Sequence, residues 1–270
     1  MDDDLVKTIR EIQESMLNPT QQVIEYMRES LRNTKEIAEM TRKLRSGIDQ
    51  AVLKFSESLK LAYKHLKIIE NKTEALKLIL VDCGYPPSDK FFTFEISEII
   101  DYYDEHGKEK TEQYLHEYLF QRFDQEELNG LLSEWESFEL LSKRMLILRQ
   151  SINAHVNGNY FIAIPPLLAQ LEGMVADGFQ HIGRMDGYKM KGYLSDLLSE
   201  DHIMSFDSVA LGFYKTIVLV NFEHGKPLES YLSRNAILHG ADTEYGTPVN
   251  SLKSILLFDY IQSRIWRQKQ

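Results

Sequence analysis

The stretch from residue 20 to residue 85 constrains the fold most, because it holds no proline and only two glycines, Gly47 and Gly84. Apolar side chains recur through it in steps of three and four, at Leu44, Ile48, Ala51, Phe55, Leu59, Ala62, Leu66 and Ile69. This spacing places them on one face of an α-helix. Because Lys, Arg, Glu and Gln flank the stripe, we expect long antiparallel helices or a coiled-coil arm, which is typical of an interaction or regulatory module.

The segment CGYPPSDK, residues 83–90, predicts the end of this arm. Gly84 can adopt a positive φ angle, and the two prolines that follow cannot continue an α-helix. Beyond them, apolar and aromatic residues with helical spacing predict buried packing. We therefore divide the chain into an N-terminal helical arm or regulatory region (1–85), a helical connector (86–135) and a C-terminal helical bundle (136–270).

The apolar pattern after Glu134 predicts that this bundle is all-α. Helical segments are expected at residues 136–157, 160–182, 203–223 and 248–268, with a short helix from Pro227 to His239 before the last. Thr247 followed by Pro248 supplies an N-cap with proline in the first turn. Pro165 and Pro166 predict a kink or a restart early in the second segment. The sequence offers no convincing strand pairs and no glycine-rich phosphate loop.

Charge and composition exclude several classes of function. The formal net charge of −10 opposes broad attraction to nucleic acid or anionic lipid, so an RNA substrate must be met at a local basic pocket or a subunit interface. The single cysteine, Cys83, excludes an internal disulfide, and no zinc-site spacing occurs, so we expect no metal and no cofactor. The acidic opening and the short apolar runs predict a cytoplasmic protein with no membrane partner.

The octapeptide SRNAILHG, residues 233–240, holds the groups best suited to chemistry. Arg234 offers a planar cation that matches phosphate oxygens, and Asn235 offers an amide that can hold a ribose hydroxyl or a phosphate. His239 offers an imidazole that exchanges protons near neutral pH, and Gly240 predicts a helix end directly after it. At 100° per residue Arg234 and His239 lie about 140° apart, so a shared ligand touches both only near the helix end.

This stretch resembles the Rx4-6H motif of HEPN domains, which are helical bundles found in many prokaryotic ribonucleases. The surrounding text, LSRNAILHGADTEYGTPVNSLKSILLFDYI, and the upstream NGNYFIAIPPLLAQLEGM are similar to the HEPN-type domains of abortive-infection and antiphage proteins. The resemblance covers roughly residues 137–268 and says nothing specific about the first 85. It implies a homodimer whose two motifs face one another in a shared cleft and cut single-stranded RNA without a metal ion.

The resemblance also implies a role for each residue of the motif. His239 would exchange a proton with the 2′-hydroxyl or the leaving oxygen, Arg234 would stabilise the phosphorane-like transition state, and Asn235 would orient them. The 2′-hydroxyl would be the nucleophile, so a cyclic phosphate would remain and DNA would resist cleavage. In a defence or toxin system, the N-terminal arm would act in dimerisation, sensing or restraint, with a regulatory protein or a phage component as partner.

A structural interpretation of the same residues stays open. Arg234 can pair with the acid Glu172, which stands among apolar neighbours in QLEG, while His239 caps helix carbonyls. The chain would then be a catalytically inactive HEPN-like module that binds a partner protein or a nucleotide. Tyr245, as a supporting residue, contacts substrate or braces the loop GADTEYGTP together with Asp242 and Glu244. Bracing is favoured, because acids repel a phosphate.

Other polar and aromatic side chains near helix junctions are expected to cap, to anchor or to face solvent. They are Asn153, His155, Tyr160, His181, His202, His224 and Trp266.

Overall fold

A computed structural model describes Asp4, residues 6–12, Ser15, residues 34–200 and residues 205–269. Every regular element in this part of the chain is helical and none is a β-strand, which confirms the all-α prediction. Within the same residues, no helix carries an apolar stretch that would reach across a lipid bilayer.

The first long helix, α1, spans Thr34–Asp82, and its side chains are described from residue 39 onward. It confirms the long N-terminal helix that the apolar spacing predicts, and it runs through Gly47 without a break. Several large side chains of the predicted stripe are exposed, among them Ile48, Phe55 and Leu59. Residues 20–33 of the predicted antiparallel helices or coiled-coil arm lie outside the described residues.

The chain divides into two compact units, Met1–Glu70 and Asn71–Gln270. The second unit begins inside α1, and Leu76, Ile79 and Leu80 from the last turns of that helix are buried in its core. The assignment of residues 1–85, 86–135 and 136–270 to three functional parts stays a prediction.

Helices of different lengths surround one apolar core in the second unit. In chain order they are α2 (Thr93–Arg122), α3 (Gln125–Glu136), a 3₁₀ helix (Glu139–Arg144), α4 (Met145–Val156), α5 (Tyr160–Gly178), α6 (Gly187–Leu197), α7 (Asp207–Phe213), a π-helical turn (Tyr214–Val218), α8 (Arg234–Leu238) and α9 (Pro248–Gln268). The most extensive packing joins α5 to α4 and to α9.

Helix α9 lies at the centre of this core, since every residue from Asn250 to Gln262 is buried. Its bounds, Pro248–Gln268, match the predicted residues. Its predicted N-cap is confirmed as well, because the Thr247 hydroxyl accepts the N–H of Asn250 at 3.1 Å. Polar side chains on so buried a helix need partners. Asp259, for example, accepts a hydrogen bond from the indole of Trp135 on α3 at 2.8 Å.

Two predicted segments of the bundle have the wrong bounds. The segment predicted at 136–157 begins as the 3₁₀ helix and continues as α4, and the segment predicted at 160–182 ends at residue 178. Of the kink or restart predicted at Pro165 and Pro166, the restart is wrong, because α5 continues through both prolines. A proline inside a helix frees the carbonyl four residues earlier. The carbonyl of Phe161, freed by Pro165, accepts the Tyr245 hydroxyl at 3.1 Å.

Two further differences concern the chain between α5 and α9. The segment predicted at 203–223 is regular over α7 and the π-helical turn, with residues 203 and 204 outside the described residues. The short helix predicted from Pro227 begins only at Arg234, because Ser233 is its N-cap. Helix α6 was not predicted. Its N-cap is Asp186, whose carboxylate accepts the N–H of Lys189 at 2.8 Å.

Candidate functional site

The motif lies on α8, a short helix whose ends are set by its own sequence. The Ser233 hydroxyl accepts the N–H of Ala236 at 3.2 Å and donates to the carbonyl of Val220 at 2.9 Å. His239 is the C-cap, and Gly240 follows with a φ of 74°, a conformation that favours glycine. Arg234 therefore occupies the first helical position, while His239 stands just past the last.

The guanidinium of Arg234 is half-buried and forms an ion pair with Glu172 on α5, as the structural interpretation predicts. It also donates to the side-chain oxygen of Asn235 at 3.1 Å, while its buried Nε has no hydrogen-bond partner among the residues that the structure describes. Burial raises the pKa of Glu172, and the charge of Arg234 partly offsets that effect. The pair thus contains a carboxylate that burial destabilises and a guanidinium with unused hydrogen-bonding capacity.

A cleft of about 360 Å³ opens beside this ion pair. Arg234, Asn235 and Glu172 line one part of it, and the start of α6 contributes Tyr188 and Lys191. The Tyr188 ring is 87% exposed, and Lys191 is also exposed. The charged side chains of the lining are thus two basic groups, Arg234 and Lys191, and two acids, Glu172 and Asp186, beside the exposed ring of Tyr188.

His239 is exposed and does not line this cleft. Its ring stacks on Phe222, with 5.9 Å between ring centroids and 28° between ring planes. Phe222 also contacts His224 edge-on, at 5.0 Å between centroids. The structure thus brings Arg234, Asn235 and Glu172 together, and leaves His239 open to solvent at the other end of the same helix.

Tyr245, the other supporting residue, lies away from the Arg234 cleft and lines a second one. Its hydroxyl donates to the carbonyl of Phe161, and its ring packs edge-on against the Phe161 ring at 5.2 Å. Asp242 accepts the N–H of Glu244 at 2.8 Å within the same loop. These contacts brace the loop. Bracing is also the interpretation that the sequence favours, because Asp242 and Glu244 would repel a phosphate.

The remaining sequence candidates have local partners. His155 is buried, shares a hydrogen bond of 2.8 Å with the Ser251 hydroxyl, and contacts the ring of Tyr160, while burial lowers its pKa to about 4. His181 shares a hydrogen bond of 2.9 Å with the hydroxyl of Tyr193. Asn153 is exposed, and its carbonyl accepts the amide of Asn157. Trp266 is 42% exposed on the last turns of α9, and His202 lies outside the described residues.

Two notable residues escape sequence reasoning. Tyr214, in the π-helical turn, has a buried hydroxyl that finds no hydrogen-bond partner in the described part of the chain. Burial raises its pKa, and the charges of Glu172 and Arg234 act on it as well. Lys253 is buried on α9 and lines the second cleft. The only signal for Lys253 was a lysine inside the apolar stretch SLKSILLF, and nothing in the sequence identified its neighbours.

No family model, no curated protein and no solved structure matches this chain. The resemblance to HEPN domains therefore rests on the motif and its surroundings alone.

Proposed function

We propose that this chain is a metal-independent endoribonuclease of the HEPN type, acting on single-stranded RNA in the cytoplasm. The observation that carries the proposal is the arrangement of α8. Its first residue, Arg234, presents a guanidinium to a cleft, and the residue just past its last turn, His239, presents an exposed imidazole. A fixed cation and an exchangeable proton are the two groups that metal-free phosphodiester cleavage needs.

In the proposed reaction the 2′-oxygen of a ribose attacks the adjacent phosphorus, and the bond to the 5′-oxygen of the next nucleotide breaks. The proton lost by the 2′-hydroxyl is matched by the proton gained by the leaving oxygen, and His239 carries out one or both transfers. Arg234 stabilises the charge that develops on the phosphate oxygens, and Asn235 orients the guanidinium through their shared hydrogen bond. The products are a 2′,3′-cyclic phosphate and a 5′-hydroxyl.

The geometry of α8 favours a site made by two copies of the chain. Arg234 and His239 are five residue steps apart, which corresponds to about 7.5 Å along a helix axis and about 140° around it. The Arg234 guanidinium and the His239 imidazole of a single α8 therefore cannot easily contact the same phosphate. We propose that two copies pair around a two-fold axis, so that Arg234 of one copy and His239 of the other approach the same phosphate.

A cleavage assay in excess chelator tests the proposal. Labelled single-stranded RNA should be cut to products with cyclic phosphate ends, and the same sequence as DNA should stay intact. Arg234→Ala and His239→Ala should each lower the rate by at least about 100-fold, the usual scale for a proton-transfer or charge-stabilising group. His224→Ala is the matched control, because His224 is also exposed and also contacts Phe222. Equal rates in all four proteins would refute the proposal.

Expression in bacteria gives a second readout for the proposed defence or toxin role. Growth arrest by the parent chain should be relieved by His239→Ala and retained by His224→Ala. Toxicity that survives the loss of His239 would contradict a toxic ribonuclease.

A catalytically inactive binding module is the second candidate, and one observation favours it. Arg234 is already engaged by Glu172, so a phosphate must compete with a carboxylate for the guanidinium. Glu172→Gln separates the two candidates. In a ribonuclease, freeing Arg234 should lower the KM for RNA, whereas in a module that binds a protein or a nucleotide it should create no cleavage at all.

A further inference from the structure

A second cleft, of about 560 Å³, opens elsewhere in the same unit, between α2, the start of α9 and the loops on either side of α8. Its lining combines two basic groups, four acids and several neutral side chains: Glu112, His116, Leu228, Glu229, Ser230, Tyr231, Asp242, Glu244, Tyr245, Thr247, Val249, Asn250 and Lys253. Lys253 is the only lysine or arginine of this lining, and it is 3% exposed. Clefts of this size hold small molecules.

Two aromatic rings hold the ammonium group of Lys253. Its nitrogen lies 4.4 Å from the ring centroid of Tyr85 and 4.6 Å from that of Tyr231, and it donates to the Tyr231 hydroxyl at 3.3 Å. The Tyr231 hydroxyl in turn donates to the carbonyl of Gly84 at 2.8 Å, which fixes its ring. Among the described residues, Lys253 forms no ion pair. Burial lowers its pKa to about 8, as expected for an ammonium without a close counter-charge.

Two more polar atoms near Lys253, the Tyr85 hydroxyl and Nε2 of His116, are buried and have no hydrogen-bond partner among the described residues. The ring centroids of Tyr85 and His116 are 5.5 Å apart, and burial, together with the charge of Lys253, lowers the pKa of His116. The closest acid, Glu112, lies 3.9 Å from His116 Nε2, but its side chain is 43% exposed and therefore screened by water. Lys253 and His116 both line the cleft, and each can donate a hydrogen bond to an anionic group placed there.

The outer part of the same cleft has the opposite charge. Glu229 and Glu244 are exposed at its rim, while Asp242 is buried and uses one oxygen to accept the N–H of Glu244. A polyanion such as RNA would be repelled by this rim, and a simple cation would be repelled by the floor at Lys253. A single ligand complements both parts of the cleft if its anionic group lies at Lys253 and its cationic group lies near the acidic rim.

We propose that this cleft binds a small zwitterion of the α-amino-acid type. Its carboxylate accepts hydrogen bonds from Lys253 and His116, and its ammonium group faces Glu229 and Glu244. The side chain of the ligand occupies the space beside Val249 and Tyr245. The site is independent of the motif on α8, and this proposal does not depend on ribonuclease activity.

Isothermal titration calorimetry with each of the twenty standard L-amino acids tests the site on the full chain. At least one amino acid should bind. The matching amino alcohol, which lacks the carboxylate, and the matching acid, which lacks the amine, should each bind at least about tenfold more weakly than that amino acid. Failure of all twenty amino acids to bind the parent protein would overturn the proposal.

Three variants identify the location of binding. Lys253→Met keeps the apolar stem and removes an unpaired buried charge, so the fold should keep its stability while amino-acid affinity falls at least about tenfold. Glu244→Gln should weaken binding of the amino acid but not binding of the analogue that lacks the amine. Arg234→Ala should bind as the parent does, which separates this site from the proposed ribonuclease site. Unchanged affinity in both Lys253→Met and Glu244→Gln would also overturn the proposal.

Discussion

Asp259→Asn should change the pH dependence of folding in a way that the structure specifies. Asp259 is 5% exposed on α9, and burial raises its pKa from the usual 3.8 to about 6. The folded chain therefore holds this proton more tightly than the unfolded chain does. For an acid with a raised pKa, stability is full below about pH 4, falls as pH rises from about 4 to about 6, and stays reduced above that range.

The size of the effect follows from the same shift. A difference of about two pKa units at about 1.4 kcal/mol each corresponds to roughly 3 kcal/mol of stability lost at neutral pH. Asn at this position keeps an oxygen that accepts from Trp135 and removes the charge. Its new N–H₂ group needs an acceptor and would cost about 1–3 kcal/mol if it lacked one. That cost is the same at every pH. The change in the free energy of unfolding with pH therefore reports the pKa shift of Asp259 more directly than the absolute stability does.

Urea unfolding of the parent and of Asp259→Asn at about pH 4, 5, 6 and 7.5 measures this difference. The free energy of unfolding of the variant, minus that of the parent, should rise by roughly 3 kcal/mol between the lowest and highest pH. Trp135→Phe, which removes the hydrogen-bond donor, should show the opposite sign. A difference between variant and parent that is flat across this range would refute the assignment of a raised pKa to Asp259.

Three further changes test the structure around the site. Ser233→Ala removes the N-cap of α8 and should lower the free energy of unfolding by about 1 kcal/mol in urea, with a matching loss of RNA cleavage if the motif is catalytic. Gly173→Ala should cost about 1–3 kcal/mol in the same assay, because a Cβ there would lie 2.5 Å from the guanidinium of Arg144, which can move away only by giving up its hydrogen bonds to Gln170 and Asp177. Cys83 is buried and its pKa is raised to about 11, so the native protein should resist iodoacetamide at about pH 8 until urea unfolds it; rapid labelling of the native chain would contradict this burial.

Long, regular signals in the sequence predict the fold well. Helix α9 has an N-cap, a proline in its first turn and apolar residues on all sides, and its predicted bounds match the structure. Helix α6 escapes prediction because two glycines among its eleven residues weaken the helical signal. Asp186, a favoured N-cap residue, and the helical spacing of Met190, Leu194 and Leu197 are the signals that could reveal it. Pro165 misled the prediction, since no local pattern shows that a tyrosine about 80 residues later supplies a hydrogen bond to the carbonyl it frees.

The two clefts differ in how far the sequence reveals them. Arg234, Asn235 and His239 lie within six consecutive residues, so a local motif identifies them and even Glu172 can be named as a partner. The site at Lys253 requires side chains from near residues 85, 116 and 231 as well, and only the folded chain brings these together. A single buried lysine in a sequence carries no information about which rings surround it.

One backbone segment serves both clefts, so a test of one site needs a substitution that leaves this segment in place. Tyr231 belongs to the lysine cleft and Arg234 to the motif cleft, three residues further along the chain, with Leu232 fully buried between them. Ser233 fixes this segment to Val220, and Asn250 donates to the carbonyl of Tyr231 at 3.0 Å. Loss of Ser233 or Asn250 would therefore displace both clefts together, whereas truncation of Arg234 changes only the chemistry of one.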